Sequence, residues 1–208
     1  MNYVLMNPLK LDQTDIYPSK VVCIGRNYAD HIEELGNEVP TEPVFFIKPN
    51  SAISQDILTH KVDPIHYESE ITFSIKSGQL LGVGIGLDLT KREIQSKLKA
   101  KGLPWERAKS FDKSAVFSDF TTFNGKISDL RMELFINNKL VQLANYELMI
   151  NKPDAIIKAA SEFLTLIDDD LLMTGTPKGV GILNVGDEFT GKIFEQENLI
   201  IEHSWIVR

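Results

Sequence analysis

The amino-acid sequence of 208 residues predicts one domain of the α+β class in which strands predominate. Short apolar or alternating runs, bounded by Gly, Pro, Asn and Asp, recur along the whole chain, as expected of strands. Helical periodicity or helix-start signals occur in only three segments. No linker, low-complexity stretch or internal repeat interrupts this pattern. We therefore expect a single, mostly β domain with few helices.

Eight segments have the length and composition of strands. They are residues 20–25, 44–48, 71–75, 80–85, 132–136, 171–174, 188–194 and 199–207. Lys76-Ser77-Gly78-Gln79 joins the third segment to the fourth, and Asn137-Asn138 follows the fifth. Because such short polar turns connect antiparallel strands, we expect hairpins at both places.

Three helices are predicted from their start signals and apolar faces. Thr90-Lys91-Arg92-Glu93 has the form of a capping box, and an apolar pair with i, i+4 spacing follows it. Pro153 suits the first turn of a second helix, because its missing N–H would lack a helical partner there anyway. A shorter helix is expected at residues 28–35, before Gly36.

The composition excludes several classes of function. The chain has 22 Lys and Arg against 29 Asp and Glu, a net charge of −7, and its basic residues are scattered. Nucleic-acid binding needs clustered positive charge, so we expect no DNA or RNA partner. No apolar run is long enough to cross a membrane, and the first residues lack the pattern of a signal peptide. Cys23, the single cysteine, lies in an apolar run and is expected to be buried in a cytoplasmic, reducing environment.

A cluster of acidic residues is the first candidate for chemistry. In an extended His66-Tyr67-Glu68-Ser69-Glu70 segment, alternate side chains project from one face, which places an imidazole and two carboxylates together. Shared coordination of a divalent cation would relieve the repulsion between the carboxylates, and oxygen ligands favour Mg²⁺, Mn²⁺ or Ca²⁺. The alternative is a solvated polar strand face.

Asp88 adds a third carboxylate. The predicted hairpin between it and Glu70 returns the chain towards Glu70, so the three carboxylates are expected to meet. The alternative is that Asp88 only marks a helix start, where a negative charge is favourable.

Two further motifs are candidates for binding and catalysis. His31 and Glu34 have i, i+3 spacing in a predicted helix, the arrangement of a base and its orienting carboxylate or of an ordinary surface pair. The turn at residues 174–181 lacks the spacing of a phosphate-binding loop. We expect it either to offer backbone N–H groups and the hydroxyls of Thr174 and Thr176 to an anion or to be a plain surface turn.

Taken together and in order, these motifs resemble the fumarylacetoacetate hydrolase family over residues 18–208, which leaves residues 1–17 as an N-terminal segment. The likeness is closest to its short, single-domain, acylpyruvase-like members. The matching motifs are Gly25-Arg26-Asn27-Tyr28 with His31 and Glu34, Glu42-Pro43-Val44-Phe45-Phe46-Ile47-Lys48-Pro49, His66-x-Glu68-x-Glu70, Leu87-Asp88-Leu89-Thr90-x-Arg92, Gly102-Leu103-Pro104-Trp105 with Lys109-Ser110-Phe111, and Thr174-Gly175-Thr176-Pro177-Lys178-Gly179-Val180-Gly181.

The resemblance implies a mixed, largely antiparallel β-roll, a homodimer, and one Mg²⁺ or Mn²⁺ per subunit. Its implied site residues fall into three groups: metal ligands Glu68, Glu70 and Asp88; a water-activating dyad, His31 and Glu34, on a segment that closes over substrate; and Gln95, Lys109 and Thr176 at the substrate, with Arg26, Lys48 and Arg92 as accessory positive groups. Similar proteins carry a helix-forming insert between Glu70 and Asp88, which this chain replaces by a short hairpin.

The resemblance predicts hydrolysis of a carbon–carbon bond in a 2,4-dioxo acid, of the acylpyruvate or fumarylpyruvate type, with release of pyruvate. In this reaction His31 would deprotonate water and Lys109 would help to bind an anionic 2-oxo acid. The same site would also suit an oxaloacetate decarboxylase or tautomerase, or a 2-hydroxyhepta-2,4-diene-1,7-dioate-type isomerase. A metal-stabilised binding protein without catalysis is disfavoured, because His31, Glu34 and Lys109 are all retained.

Overall fold

The computed structural model describes residues 6–36, 38, 40–59 and 63–208. The strands of this part of the chain are β1 Leu9–Leu11, β2 Thr14–Ile16, β3 Lys20–Gly25, β4 Val44–Pro49, β5 Ile53–Ser54, β6 Ile65–Tyr67, β7 Ser69–Lys76, β8 Gln79–Asp88, β9 Thr90–Lys91, β10 Ala115–Phe117, β11 Thr121–Thr122, β12 Leu130–Ile136, β13 Lys139–Asn145, β14 Leu171–Met173, β15 Gly181–Ile182, β16 Glu188–Glu195 and β17 Asn198–Ile206. Its helices are α1 Ala29–Glu34, α2 Arg92–Ala100, α3 Glu106–Lys109 and α4 Pro153–Ser161, with 3₁₀ turns at Asn50–Ala52 and Ile127–Asp129. The predicted α+β, mostly β class is confirmed, and all eight predicted strands are present, with ends shifted by up to three residues.

An eight-stranded mixed sheet forms the centre of the fold, in the order β4-β3-β14-β7-β8-β10-β5, with β11 beside β8. Only β14 with β3 and β10 with β5 are parallel pairs in this sheet, and the other described pairs are antiparallel. A four-stranded antiparallel sheet, β13-β12-β16-β17, and a small sheet, β15-β6-β9, complete the scaffold.

The core packs on both faces of the large sheet, which explains why strand β3 is apolar on both faces. Phe73 and Ile85 of the large sheet pack with Met132 and Phe189 of the four-stranded sheet. On β3, alternate side chains enter two different clusters, and the face that contains Val22 packs on helix α4. Strands buried on both sides lose the alternation of polar and apolar residues and become continuous apolar runs.

Hairpin β7–β8 is the element that shapes the site. Its tip, Ser77-Gly78, has φ values of 50° and 73°, as a two-residue type I′ turn requires. Its register pairs Ser69 with Leu87 and Glu70 with Gly86, so the end of β8 lies beside the start of β7. A side chain on Gly86 would place a Cβ 2.3 Å from Thr72 Oγ1, so glycine allows the close packing behind Glu70.

The predicted helices are present, but one start signal is wrong. Helix α4 begins at Pro153 and α1 lies within residues 28–35, as predicted. Helix α2 begins at Arg92, and no side chain caps its N-terminus, so the capping-box interpretation of Thr90 is wrong. Thr90 instead lies in β9, where its hydroxyl accepts a hydrogen bond from Lys109 Nζ at 2.6 Å. The Thr90 hydroxyl, which the local motif predicted would cap the helix, instead binds Lys109, a residue distant in the sequence.

Three other expectations concern the ends and interior of the chain. Cys23 is fully buried against Val21 and Met173, which confirms the prediction of a buried hydrophobe. Within the predicted N-terminal segment, β1 and β2 form a hairpin whose Leu9 and Ile16 join this same cluster. No helix in the described residues is long and apolar enough to cross a membrane.

Candidate active site

Three buried carboxylates form the base of the candidate site. Glu68 lies between β6 and β7, Glu70 is on β7 and Asp88 ends β8. One oxygen from each of the three lies within 4.8 Å of the others, and each residue is at most 5% exposed. The register of hairpin β7–β8 produces this convergence, so the missing insert does not prevent Asp88 from reaching the glutamates.

Lys109, from the end of α3, lies among these carboxylates. Its Nζ is 2.7 Å from Glu68 Oε2 and 2.5 Å from Asp88 Oδ2, and it also donates to Thr90. Burial alone lowers the pKa of Lys109, but Asp88 and Glu68 outweigh that effect and raise its pKa. Lys109 is therefore a protonated ammonium in contact with the site.

The three carboxylates differ in their electrostatic environment. Burial raises the pKa of Glu68, but the positive charges of Lys109 and Arg92 outweigh it and hold that pKa well below its usual range. Burial, followed by repulsion from Asp88 and Glu68, raises the pKa of Glu70 well above its usual range, although Gly175 N–H donates to it at 2.6 Å. Glu70 is thus the carboxylate whose charged form is least stabilised, whereas nearby cations stabilise that of Glu68.

The donor set fits a hard divalent cation. All three side chains offer carboxylate oxygens, the ligands that Mg²⁺ and Mn²⁺ prefer. Asp88 Oδ1 is buried without a hydrogen bond, and its 2.8 Å approach to Lys48 Nζ is an ion pair that lacks hydrogen-bond geometry. An oxygen with unused acceptor capacity and a carboxylate with a raised pKa are both features that a bound cation would satisfy.

His31 and Glu34 lie beside the carboxylates. They project from the same face of α1, and His31 Nδ1 is 3.0 Å from Glu34 Oε2. The second oxygen of Glu34 accepts a hydrogen bond from Gly179 N–H at 3.0 Å, which ties the helix to the loop after β14. His31 is 6% exposed and lines the same cavity as Glu68 and Glu70. Because Glu34 holds Nδ1, Nε2 is the ring nitrogen available for proton transfer.

The loop at residues 174–181 uses most of its donors within the protein. Gly175 and Gly179 donate to Glu70 and Glu34, and the Thr174 hydroxyl donates to Ile71 O at 2.8 Å. These three donors are engaged by acceptors of the protein itself, so they are not free for an external anion. Thr176 lines the cavity, and its hydroxyl also has partners within the protein, since it donates to Ser69 O at 2.9 Å and accepts from Gln142 Nε2 at 2.9 Å.

The predicted substrate residues occupy two kinds of position. Arg26, Arg92, Gln95, Lys109 and Thr176 line one cavity together with the carboxylates.

Lys48 does not line the cavity that contains the carboxylates. Lys48 is fully buried behind Asp88, where its Nζ contacts the backbone oxygens of Leu89, Lys109 and Ser114. Its predicted place as an accessory group at the substrate is corrected on this point, because its ammonium lies behind Asp88 and outside the cavity wall.

His66 is not part of the carboxylate cluster, although an unbroken strand would have placed it there. The strand is interrupted at Glu68, and β6 pairs with β15 and β9 in a different sheet. His66 lines a separate groove beside Arg92. Alternation holds only within a continuous strand, and this interruption changes the direction of the preceding side chain.

The sequence analysis missed part of the cavity wall. Lys99 and Trp105 line it, as does Phe46, whose ring lies 5.0 Å from Lys109 Nζ. Lys99 had a detectable signal, because Arg92, Gln95 and Lys99 have the i, i+3, i+7 spacing of one helix face. The two aromatic residues lie in motifs that carried the family resemblance, but those motifs assigned them no role.

Comparison with known proteins gives consistent matches over most of the chain. The profile of the family "Fumarylacetoacetate (FAA) hydrolase C-terminal" matches residues 20–201. Oxaloacetate tautomerase YcgM of Escherichia coli (strain K12) is 40% identical over 194 residues, which cover 84% of this chain and 88% of that protein. The mitochondrial oxaloacetate tautomerase oaa1 of Schizosaccharomyces pombe is 37% identical over 211 residues, covering 91% and 95% of the two chains.

A solved structure extends the comparison to a complex. The fumarylpyruvate hydrolase from Pseudomonas aeruginosa, in complex with Mn²⁺ and pyruvate, superimposes with a TM-score of 0.88 at 26% sequence identity and covers 99% of each chain. The fold is therefore shared with that protein across almost the whole length of both chains.

Proposed function

The chain belongs to the fumarylacetoacetate hydrolase family, and from this premise we propose that it is a divalent-metal-dependent tautomerase of oxaloacetate-type 2-oxo acids. The observation that carries the proposal is the position of His31, held by Glu34, in one cavity with Glu68, Glu70 and Asp88. The names of two relatives, both oxaloacetate tautomerases, support this reaction better than the acylpyruvate hydrolysis expected first from the sequence.

Keto–enol interconversion needs a proton carrier beside the reacting carbon. His31 Nε2 would remove a proton from the carbon next to the 2-oxo group, and the electrons of that C–H bond would form the carbon–carbon double bond. The carbonyl electrons would move onto the 2-oxo oxygen, which takes a proton from solvent water to complete the enol, while His31 releases its proton to solvent. The reverse steps return the proton from His31 to carbon. Glu34 keeps the ring in the orientation and tautomer that this transfer requires.

The remaining residues stabilise negative charge. Glu68, Glu70 and Asp88 would hold the divalent cation, which when bound would act as a Lewis acid towards the 2-oxo acid. Lys109 offers a buried ammonium beside the same carboxylates, so it would stabilise charge developing on the substrate oxygen. Gln95 and Thr176 line the cavity with polar groups that would orient the substrate.

Hydrolysis of an acylpyruvate is the second candidate. The His31–Glu34 pair favours it, because a base held by a carboxylate would equally suit activation of water. The similarity to a fumarylpyruvate hydrolase also supports it. In this reaction the carbon–carbon bond breaks and pyruvate is released, whereas tautomerisation releases nothing.

The two candidates are separated by assaying one protein on two substrates with Mg²⁺ fixed. Decay of enol-oxaloacetate is followed by ultraviolet absorbance, and pyruvate release from acetylpyruvate is followed with a coupled dehydrogenase. We expect accelerated enol decay, reduced by about 10² to 10⁴ in His31→Ala. His203→Ala, at a half-buried histidine on β17, is the matched control and should retain activity.

Three outcomes would contradict the proposal. A wild-type protein that leaves the enol decay unchanged is not a tautomerase. Faster turnover of acetylpyruvate than of enol-oxaloacetate would favour the hydrolase. Equal pyruvate and enol-decay rates from oxaloacetate would indicate a decarboxylase.

A further inference from the structure

Helix α2 forms one wall of the cavity from its depth to its mouth. Arg92, Gln95 and Lys99 lie on one face with i, i+3, i+7 spacing, so the first and last are about 10 Å apart along the helix axis. Arg92 is at the deep end, where it hydrogen-bonds to Glu68 and Gln95. Gln95 is buried at 4% exposure, whereas Lys99, one turn further from the carboxylates, is half-buried.

Lys99 differs from the deeper cations in its partners. Lys109 and Arg92 are each paired with carboxylates of the site. Lys99 makes no ion pair with any carboxylate in the part of the chain that the structure describes. Its Nζ instead lies 4.9 Å from the centroid of the Trp105 ring. This cation–π contact fixes the ammonium over the cavity wall without neutralising it.

The charges that face Lys99 make an anion favourable at this position. Burial, followed by repulsion from Arg26, Arg92 and Lys109, lowers the pKa of Lys99 to about 8, and Glu68 opposes this shift. Bringing a partly desolvated ammonium close to three other cations costs free energy. A negative group of the ligand near Nζ would recover that energy, whereas the carboxylates of the protein are already engaged at the deep end.

We propose that Lys99 is the specificity-determining residue for a second, distal carboxylate, so that the cavity selects 2-oxo dicarboxylic acids over 2-oxo monocarboxylic acids. This inference rests on the proposed function for the deep end of the cavity, where the 2-oxo acid group of the substrate would bind. The distal carboxylate would then pair with the ammonium above Trp105. Selection arises because a monocarboxylic acid leaves Lys99 without its anion.

The test measures binding of two unreactive ligands that differ by one carboxylate. L-Malate and L-lactate share a 2-hydroxy acid group, and only malate has the distal carboxylate. Their dissociation constants are measured by calorimetry with Mn²⁺-loaded wild type, Lys99→Met, Lys99→Arg and Lys97→Met. Lys97 is the matched control, because it is an exposed lysine on α2 that lines the neighbouring groove.

We expect the wild type to prefer malate, and Lys99→Met to reduce that preference about tenfold or more, which corresponds to about 1.4 kcal/mol. Lys99→Arg and Lys97→Met should retain the preference, and lactate binding should be similar in all four proteins. An unchanged preference in Lys99→Met, or an equal loss for both ligands, would overturn the inference. Since neither ligand can enolise, these outcomes do not depend on the tautomerase reaction. Enol-oxaloacetate decay in the wild type, measured beside them, tests the proposed function separately.

Discussion

Replacing Lys48 by Met should strongly destabilise the fold, although Lys48 does not line the cavity. Its ammonium lies 2.8 Å from Asp88 Oδ1 and donates to Ser114 O at 2.9 Å and to Leu89 O at 3.3 Å. Its side chain is completely buried, as is almost all of Asp88. Methionine would fill a similar volume but would leave these oxygens without their shared donor.

The size of the loss follows from burial. Removing one partner of a buried ion pair costs about 3 to 5 kcal/mol. In Lys48→Met, Asp88 would stay buried and, among the described residues, keep only Lys109 as a neighbouring cation. A whole domain is stable by only about 5 to 15 kcal/mol, so this is a large fraction of the total. With a urea m-value of about 1 to 3 kcal/mol/M, the unfolding midpoint should fall by about 1 to 5 M.

The assay is urea unfolding at fixed protein concentration, with chelator present so that metal binding does not contribute. Lys10→Met is the matched control: Lys10 Nζ is 2.6 Å from Asp15, but both side chains are more than 40% exposed, so the midpoint should not move. The double variant Lys48→Met/Asp88→Asn should lose less free energy of unfolding than the sum of the two single variants, because neither charge of the buried pair remains. A midpoint for Lys48→Met within about 0.3 M of wild type would refute the reasoning, since it lies well below the shift expected for a buried pair.

Three further predictions concern the site and its support. Glu70→Gln should weaken Mn²⁺ binding, measured by calorimetry, at least tenfold, because a hard cation loses a charged oxygen ligand; unchanged affinity would remove Glu70 from the ligand set. For oxaloacetate, kcat/KM should fall as pH rises through about 8, because Lys99 then loses the positive charge that would pair with the distal carboxylate. Lys99→Arg should abolish this fall, because arginine stays protonated. Gly86→Ala should lower the thermal unfolding midpoint, because the new Cβ would lie 2.3 Å from Thr72 Oγ1; a midpoint equal to that of the wild type would show that β8 relaxes without cost.

Much of the scaffold was predictable because the strands are buried on one or both faces. The apolar run at residues 20–25 and the alternating run at residues 71–75 are strong local signals, and the Ser77-Gly78 turn fixes how two strands pair. The convergence of Glu70 and Asp88 followed from that hairpin alone. These features depend on residues close together in the sequence, and so local patterns were sufficient.

Predictions failed where a distant residue decided the role of a side chain. Thr90 has every local feature of a helix cap, but Lys109 takes its hydroxyl. The family resemblance predicted that Lys48 is an accessory positive group at the substrate. Its ammonium instead lies in the interior, surrounded by three backbone oxygens and Asp88. His66 was misplaced because nothing in the sequence marks the interruption of the strand at Glu68. The homodimer and the domain boundary at residue 18 stay predictions.

Hairpin β7–β8 also has a consequence for evolution. Its carboxylates are at the open end, whereas its exposed tip at Ser77-Gly78 lies seven residues from Glu70, about 20 Å along the strand. Residues gained or lost at the tip leave the pairing of Ser69 with Leu87 unchanged. The length of this connection can therefore vary during evolution without moving the carboxylates. A single insertion beside Gly86 would shift the register and turn Asp88 to the other face of the sheet. We therefore expect length variation among relatives to accumulate at the tip and to be purged near the carboxylates.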